Sequence, residues 1–402
     1  MTDYVGLTWD HPRGRTALEA ASGELGDGDT LRWEVQPLEG FESAPIDELA
    51  RRYDLLVLDH PHLGDALAND GIRPLDELFD VAQVREWSDA AVGPSVASYR
   101  MAGRLWALPL DAATQVSARR RDLVPEAPAT WEEAMALAER GLVATSLAGP
   151  HAFLSLCSIA VSFGDDPGRT GRLFDRSIAA HALELFTRLS ARAPSGTVEL
   201  NPIGLLDRLR DRGDIGCLPL VYGYVNYSSP VIAFGPPPAQ DGRIGSTIGG
   251  TGIAVTRRSA PSTALLSHLR WLLSDETQRG FIPTRSGQPG LRAAWTNAEV
   301  DADAHGFYSE TLSTIEASWV RPRVAGYVPF QSAASAIVRA AVAGKRTAES
   351  ALDEIEERFA AVRRASTGAA SRTAPDPSPP EPVDGGDARP AASGPAHPKE
   401  TP

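Results

Sequence analysis

The early part of the chain alternates between two hydrophobic periods. "YVGLTW" (Tyr4 to Trp9) is a β-branched and aromatic run that predicts a strand. "GRTALEAAS" predicts a helix, "LRWEVQPL" a second strand and "PIDELARRY" a second helix. "DLLVLDHP" then gives a continuous apolar strand of the kind buried on both faces of a parallel sheet. This is a βαβαβ unit. Its first and third strands both end in polar, histidine-containing loops, "WDHPRG" and "LDHPHLGD". Ligands gather beyond the carboxyl ends of strands in open α/β sheets, so these loops are expected to border one crevice.

Further along, strand-like residues surround Pro109 in "MAGRLWALPLDAATQVSARRRDL". Thr130 and Glu133 form a capping box that starts a helix, and Gly141 stops it. Helices are predicted over about Phe153 to Ala160 and Ile178 to Ala191. "DIGCLPLVYGYVNYSS" reads as a strand opening into an aromatic loop. A Gly/Pro-rich stretch returns to a strand at Gly252 to Thr256, and the amphipathic "ALLSHLRWLLSDETQRGF" follows. Two helices separated by Gly344 close the ordered chain. From Ser366 the composition turns to Pro, Ala, Ser, Gly and charge without an apolar period, which predicts a disordered tail over 366–402.

Composition narrows the partners. The 402 residues carry a formal net charge of −13, and that mean field repels a phosphate backbone, so a small molecule or a protein is expected rather than nucleic acid. Cys157 and Cys217 sit in apolar surroundings and read as buried free thiols. No apolar run approaches the roughly 20 residues that cross a bilayer, so no membrane span is expected. No secretory signal precedes the first strand. The chain as written is therefore expected in the cytoplasm, and in the periplasm or outside the cell if it is a mature or trimmed form.

A string of motifs in one order resembles the periplasmic solute-binding proteins of ABC transporters, in the sugar-binding, maltose-binding-protein-like group. "IRPLDELF" (Ile72 to Phe79) is similar to the segment after that family's third strand. "SYRMAGRLWALPLDAATQ" (Ser98 to Gln115) resembles its crossing into the second lobe, and "RRRDLVPEAPATWEEAMALA" its Thr-Trp-Glu-Glu run. "GGTGIAVTRRS" (Gly249 to Ser259) resembles the return crossing, and "SDETQRGFIPTRSGQPG" (Ser274 to Gly290) the helix and turn after it. The resemblance covers roughly residues 4 to 363. It implies an α/β, two-lobe periplasmic-binding-protein-like fold of type II, with crossings near Leu110, Gly250 and Ser318 and a ligand cleft that closes between the lobes. The implied division is 1–110 plus about 250–310 for one lobe and 111–249 plus about 311–365 for the other. An ABC permease or a cytoplasmic protein is the implied macromolecular partner.

Candidate site residues follow from the loops. Trp9 could stack on a sugar face while Asp10, with His11 beside it in the cleft, accepts hydroxyl hydrogen bonds, or Trp9 could pack in the core while His11 and Pro12 simply start a helix. Asp59, His60 and His62 offer a carboxylate and two imidazoles. With His11 they compose a metal-binding alternative, set below the solute reading. Asp111 and Gln115 follow the first crossing, where a hinge-side acceptor would face the cleft; the alternative for Asp111 is a turn residue after Pro109. Tyr222, Tyr224 and Tyr227 suggest a stacking wall. Gly249, Gly250 and Thr251 give a loop whose backbone can approach a ligand closely. Trp319, Arg321 and Arg323 surround Pro322, where an arginine fork could bind an acidic group or hold the lobes together. No nucleophile elbow, zinc helix or dinucleotide-binding loop occurs, so no cofactor is implied. The expected function is capture of a small polar ligand, a carbohydrate or an acidic sugar derivative, by lobe closure. An enzyme on the same fold, with or without a metal, and a cytoplasmic ligand sensor are the alternatives.

Overall fold

The computed structural model describes residues 1–373. Strands β1 (Asp3–Trp9), β2 (Thr30–Gln36) and β3 (Leu55–Leu58) lie parallel in the order β2-β1-β3, as the βαβαβ pattern predicts. β3 is buried along its whole length, which is why its sequence shows no alternation. Helix α1 (Pro12–Ala21) follows β1, with Pro12 at its first position and the His11 ring nitrogen capping the Arg13 amide.

Two long strands continue this sheet and carry the chain between the lobes. β4 (Leu108–Arg120) is buried over most of its length. Its first half pairs antiparallel with β7 (Ile248–Val255), whose other edge pairs with β3. The far half of β4 pairs with β5 (Cys217–Tyr222) and β6 (Ile232–Gly235). Pro109 falls inside β4, opposite Gly252 at a bulge, so Asp111 sits within a strand rather than in a turn.

The core divides accordingly. One cluster gathers Leu7, Leu55, Leu56, Trp87, Ile253 and Leu269 around the parallel strands. A second lies on one side of the far half of the sheet. It joins α2 (Trp131–Glu139), α3 (His151–Ser162), α4 (Arg176–Ser190), α5 (Tyr327–Val342) and α6 (Ala348–Thr373) through Trp131, Phe153, Phe186, Phe330 and Phe359. A third gathers Val116, Leu218, Phe234, Trp295 and Phe307. α2 starts on the Thr130–Glu133 capping box read from the sequence, with the Thr130 hydroxyl accepting from the Glu133 amide. α6 continues past Ser366, where the composition shifts, to Thr373. The rest of the expected disordered tail lies outside the described residues.

The crossings are bound together by hydroxyls. Thr114 in β4 is hydrogen-bonded to Ser246 and, at 2.5 Å, to Ser318, while Thr247 bridges to Trp319. The segments around Thr114, Ser246 and Ser318 therefore meet at one small polar knot. Among the described residues, no helix is long and apolar enough to cross a membrane.

Candidate ligand site between the lobes

Two buried arginines span the lobe interface, each paired with a carboxylate from a different element. Arg13, in the first turn of α1, holds Asp111 with Nε–Oδ2 at 2.7 Å and Nη2–Oδ1 at 2.5 Å. Its Nη1 donates to the Gly223 carbonyl at 3.1 Å, just past the end of β5. The guanidinium lies 4.7 Å from the Tyr224 ring centroid and 5.9 Å from that of Trp9, so it is held by charge, hydrogen bonds and two aromatic faces. Burial pushes the Asp111 carboxyl up, and Arg13 opposes that shift.

Arg321, beyond the third crossing, reaches Asp59 at the end of β3 with Nη2 at 2.7 and 2.6 Å from the two carboxylate oxygens. Its Nη1 donates to Gln331 at 3.2 Å. Burial alone would raise the Asp59 carboxyl, but the Arg321 charge overcomes it and holds the group well below the usual carboxylate range. The neighbouring His60 is fully buried, and burial together with Arg321 lowers its imidazole to about 4, so it is neutral. His60 Nδ1 lies 3.1 Å from Asp59 Oδ1, while Nε2 makes no hydrogen bond.

The remaining predicted positions distribute around these pairs. Trp9 is buried, with Phe41 at 5.0 Å between ring centroids, and His62 Nε2 meets the Phe41 carbonyl at 3.2 Å, so the loops after β1 and β3 come together over Phe41. Asp10 points outward to Arg15. His11 is an α1 cap that faces Tyr224 edge-on at 4.9 Å and lies 6.5 Å from Tyr227. Burial, reinforced by Arg13, lowers it to about 4.

The three tyrosines do not line up as one wall. Tyr224 and Tyr227 flank His11, whereas Tyr222 faces His151 at 6.0 Å, with its ring over Gly249. A Cβ on Gly249 would stand 2.6 Å from that ring. Gly250 takes φ +88° at the bulge, where a Cβ would stand 2.4 Å from the Asp111 carbonyl oxygen. Gln115 turns into the second lobe, accepting from Ser158 at 2.5 Å. Trp319 packs in the second core cluster.

The metal alternative of His11, Asp59, His60 and His62 does not assemble. His11 Nδ1 caps α1 and His62 Nε2 is at a carbonyl. Among the described residues, no group of three or more His, Cys, Asp or Glu could hold a metal ion.

Several participants escaped the sequence reading. Arg13 carried a usable signal, since a cation in the first turn of a helix opposes the macrodipole and calls for a compensating anion. Tyr327 at the start of α5 and the Glu42–His151 contact at 3.2 Å carried none.

Polar atoms without partners collect along this interface. The buried Trp9 Nε1, Thr251 Oγ1, Tyr222 Oη, Tyr327 Oη and Arg321 Nε make no hydrogen bond. Buried polar groups are normally paired, so such a concentration requires a cause. A cavity of ≈ 10 Å³, room for about one water molecule, lies beside Trp9, Arg13, Asp111, Thr251 and Gln288. A wider groove of ≈ 520 Å³ runs along the same junction past Pro12, Asn226, Ser286 and Tyr308.

No protein-family profile and no curated protein sequence matches the chain. Solved structures do. The chain is similar to an ABC-transporter solute-binding protein from Agrobacterium radiobacter K84 in complex with ribitol, with 20% identity over 88% of this chain and 97% of that one at a TM-score of 0.74. Maltose-bound MalE3 of T. maritima shares 18% identity over 91% of this chain and 100% of that one, at a TM-score of 0.76. The GacH receptor of Streptomyces glaucescens, solved unliganded and with acarbose, shares 13% over 90% and 98%, at 0.75. At these identities the likeness shows the fold: the chain has the two-lobe α/β architecture of ABC-transporter solute-binding proteins.

Proposed function

We propose that this protein binds a small, polar, carbohydrate-like ligand between its lobes and closes on it. The observation that carries this reading is the set of unpaired buried polar atoms contributed from both sides of the interface by Trp9, Thr251, Tyr222, Tyr327 and Arg321. Unsatisfied buried donors and acceptors cost free energy, and a hydroxyl-rich ligand offsets that cost by pairing with them. Solved proteins of this fold hold ribitol or maltose, which supports the same ligand class. Arg13 and Arg321 bridge the two sides of the cleft, so the lobes part to admit a sugar and these two contacts are the ones that motion loads. Handing the ligand to an ABC permease is the transport form of this function.

A thermal-shift screen over sugars, polyols and sugar acids tests it. A ligand at 100 times its Kd stabilises the folded state by about 2.7 kcal/mol, which corresponds to several degrees in Tm. Stabilisation by at least one member, lost in Tyr222→Ala, is expected. A flat response across the whole panel overturns the proposal.

A further inference from the structure

The unpaired atoms around Arg321 are weighted towards donors. Arg321 Nε–H can only donate. The Tyr222 and Tyr327 hydroxyls are both free to donate. These groups surround one guanidinium. Tyr222, Tyr327 and Asp59 all lie within electrostatic reach of Arg321, and the start of α5 packs against the His60–His62 turn.

Asp59 does not saturate the arginine. Both of its oxygens are taken up by Nη2, so the Nε–H stays without an acceptor. The Nε/Nη2 side of a guanidinium is one that a planar carboxylate can occupy with two parallel hydrogen bonds.

Local charge points the same way. Arg323 is held only by the carbonyls of Ala97, at 2.5 Å, and Ser98, at 3.1 Å, and among the described residues it has no ion-pair partner. Its charge acts on His60 as that of Arg321 does. Two guanidiniums therefore stand beside Asp59, while Asp65 accepts from the Gly326 amide, at the start of α5, at 2.7 Å. Glu42, the other carboxylate near Tyr222, faces His151.

We propose that the ligand carries a carboxylate, which Arg321 takes on its Nε/Nη2 side with the Tyr222 and Tyr327 hydroxyls completing the cradle, while Asp59, from the opposite lobe, gives up its place on the guanidinium. The ligand is thus a sugar acid rather than a neutral sugar or polyol. This rests on the reading of the cleft as a carbohydrate site.

The test compares matched pairs by calorimetric titration: gluconate against sorbitol, ribonate against ribitol, and glucuronate against glucose. In at least one pair the acid is expected to bind ten-fold or more tightly than its neutral partner. Tyr327→Phe should narrow that ratio several-fold while leaving the fold intact, and Arg321→Gln should abolish it. Binding in which every neutral member is as tight as its acid overturns the carboxylate assignment and leaves the carbohydrate site standing. Failure of all six compounds to bind overturns both. Persistence of the acid preference in a folded Arg321→Gln protein removes the assignment to this arginine.

Discussion

Arg13 and Arg321 do the same structural task at two places along one interface, yet they are equipped differently. Arg13 is saturated: two hydrogen bonds to Asp111, one to Gly223 and two aromatic faces leave none of its nitrogens without a partner. Arg321 makes its ion pair through one nitrogen and keeps Nε idle, among hydroxyls that are idle too. A saturated pair can only fix geometry. An unsaturated one retains the capacity to recognise something else, and the contrast divides the interface into a fastening and a receptor.

The largest effect should come from the fastening. Arg13→Ala leaves Asp111 buried without its cation, for which a loss of about 3–5 kcal/mol is expected from removing one partner of a buried pair. Arg321→Gln should cost less, about 2 kcal/mol, because the hydrogen bond lost there is to a charged group that stays partly hydrated. Asp59 is 16% exposed and keeps the amide of His60 as a donor. Urea denaturation of both variants measures the difference. Equal losses would break the distinction between the two arginines.

Acidification probes both places at once, because each arginine has an imidazole beside it. His11 and His60 are each lowered to about 4, first by burial and then by the nearby guanidinium. Their folded values lie below the unfolded value of 6.5, so the unfolded chain binds more protons as pH falls. Their contribution is complete above pH 6.5 and is lost progressively towards pH 4, at up to about 3 kcal/mol for each histidine. Tm measured from pH 7 to 4 should fall through that window. Arg13→Gln should raise the His11 titration seen by NMR and leave that of His60 in place, which would show that the two pairs act separately.

How much of this was legible in the sequence depends on whether the signal was local. The parallel strands, the capped helix at Thr130 and the crossings could be read because hydrophobic period, capping chemistry and motif order are properties of neighbouring residues. The pairing of Asp59 with Arg321 joins residues 262 positions apart, and no spacing encodes it. Pro109 left a turn as the alternative to a cleft position for Asp111, and the β4–β7 bulge accommodates that proline inside a strand. The Tyr222–Tyr224 wall failed for a local reason of its own: the strand ends at Tyr222, so the period-two rule that would align the two rings stops there.

Asp10 marks the outer limit of the site, and it should give the smallest effect of all. It adjoins Trp9 in sequence, but its carboxylate is exposed and reaches only Arg15, which Glu19 also engages. An exposed ion pair is screened by water and salt, and Arg15 keeps a partner when Asp10 is removed. Asp10→Ala should leave the denaturation midpoint unchanged and the affinity for a bound ligand within two-fold, whereas Tyr222→Ala should abolish binding. The boundary of the receptor would then fall between Asp10 and the interior of the cleft. A ten-fold loss of affinity in Asp10→Ala would instead mean that the loop after β1 turns inward when the lobes part, and that the fastening at Arg13 also takes part in recognition.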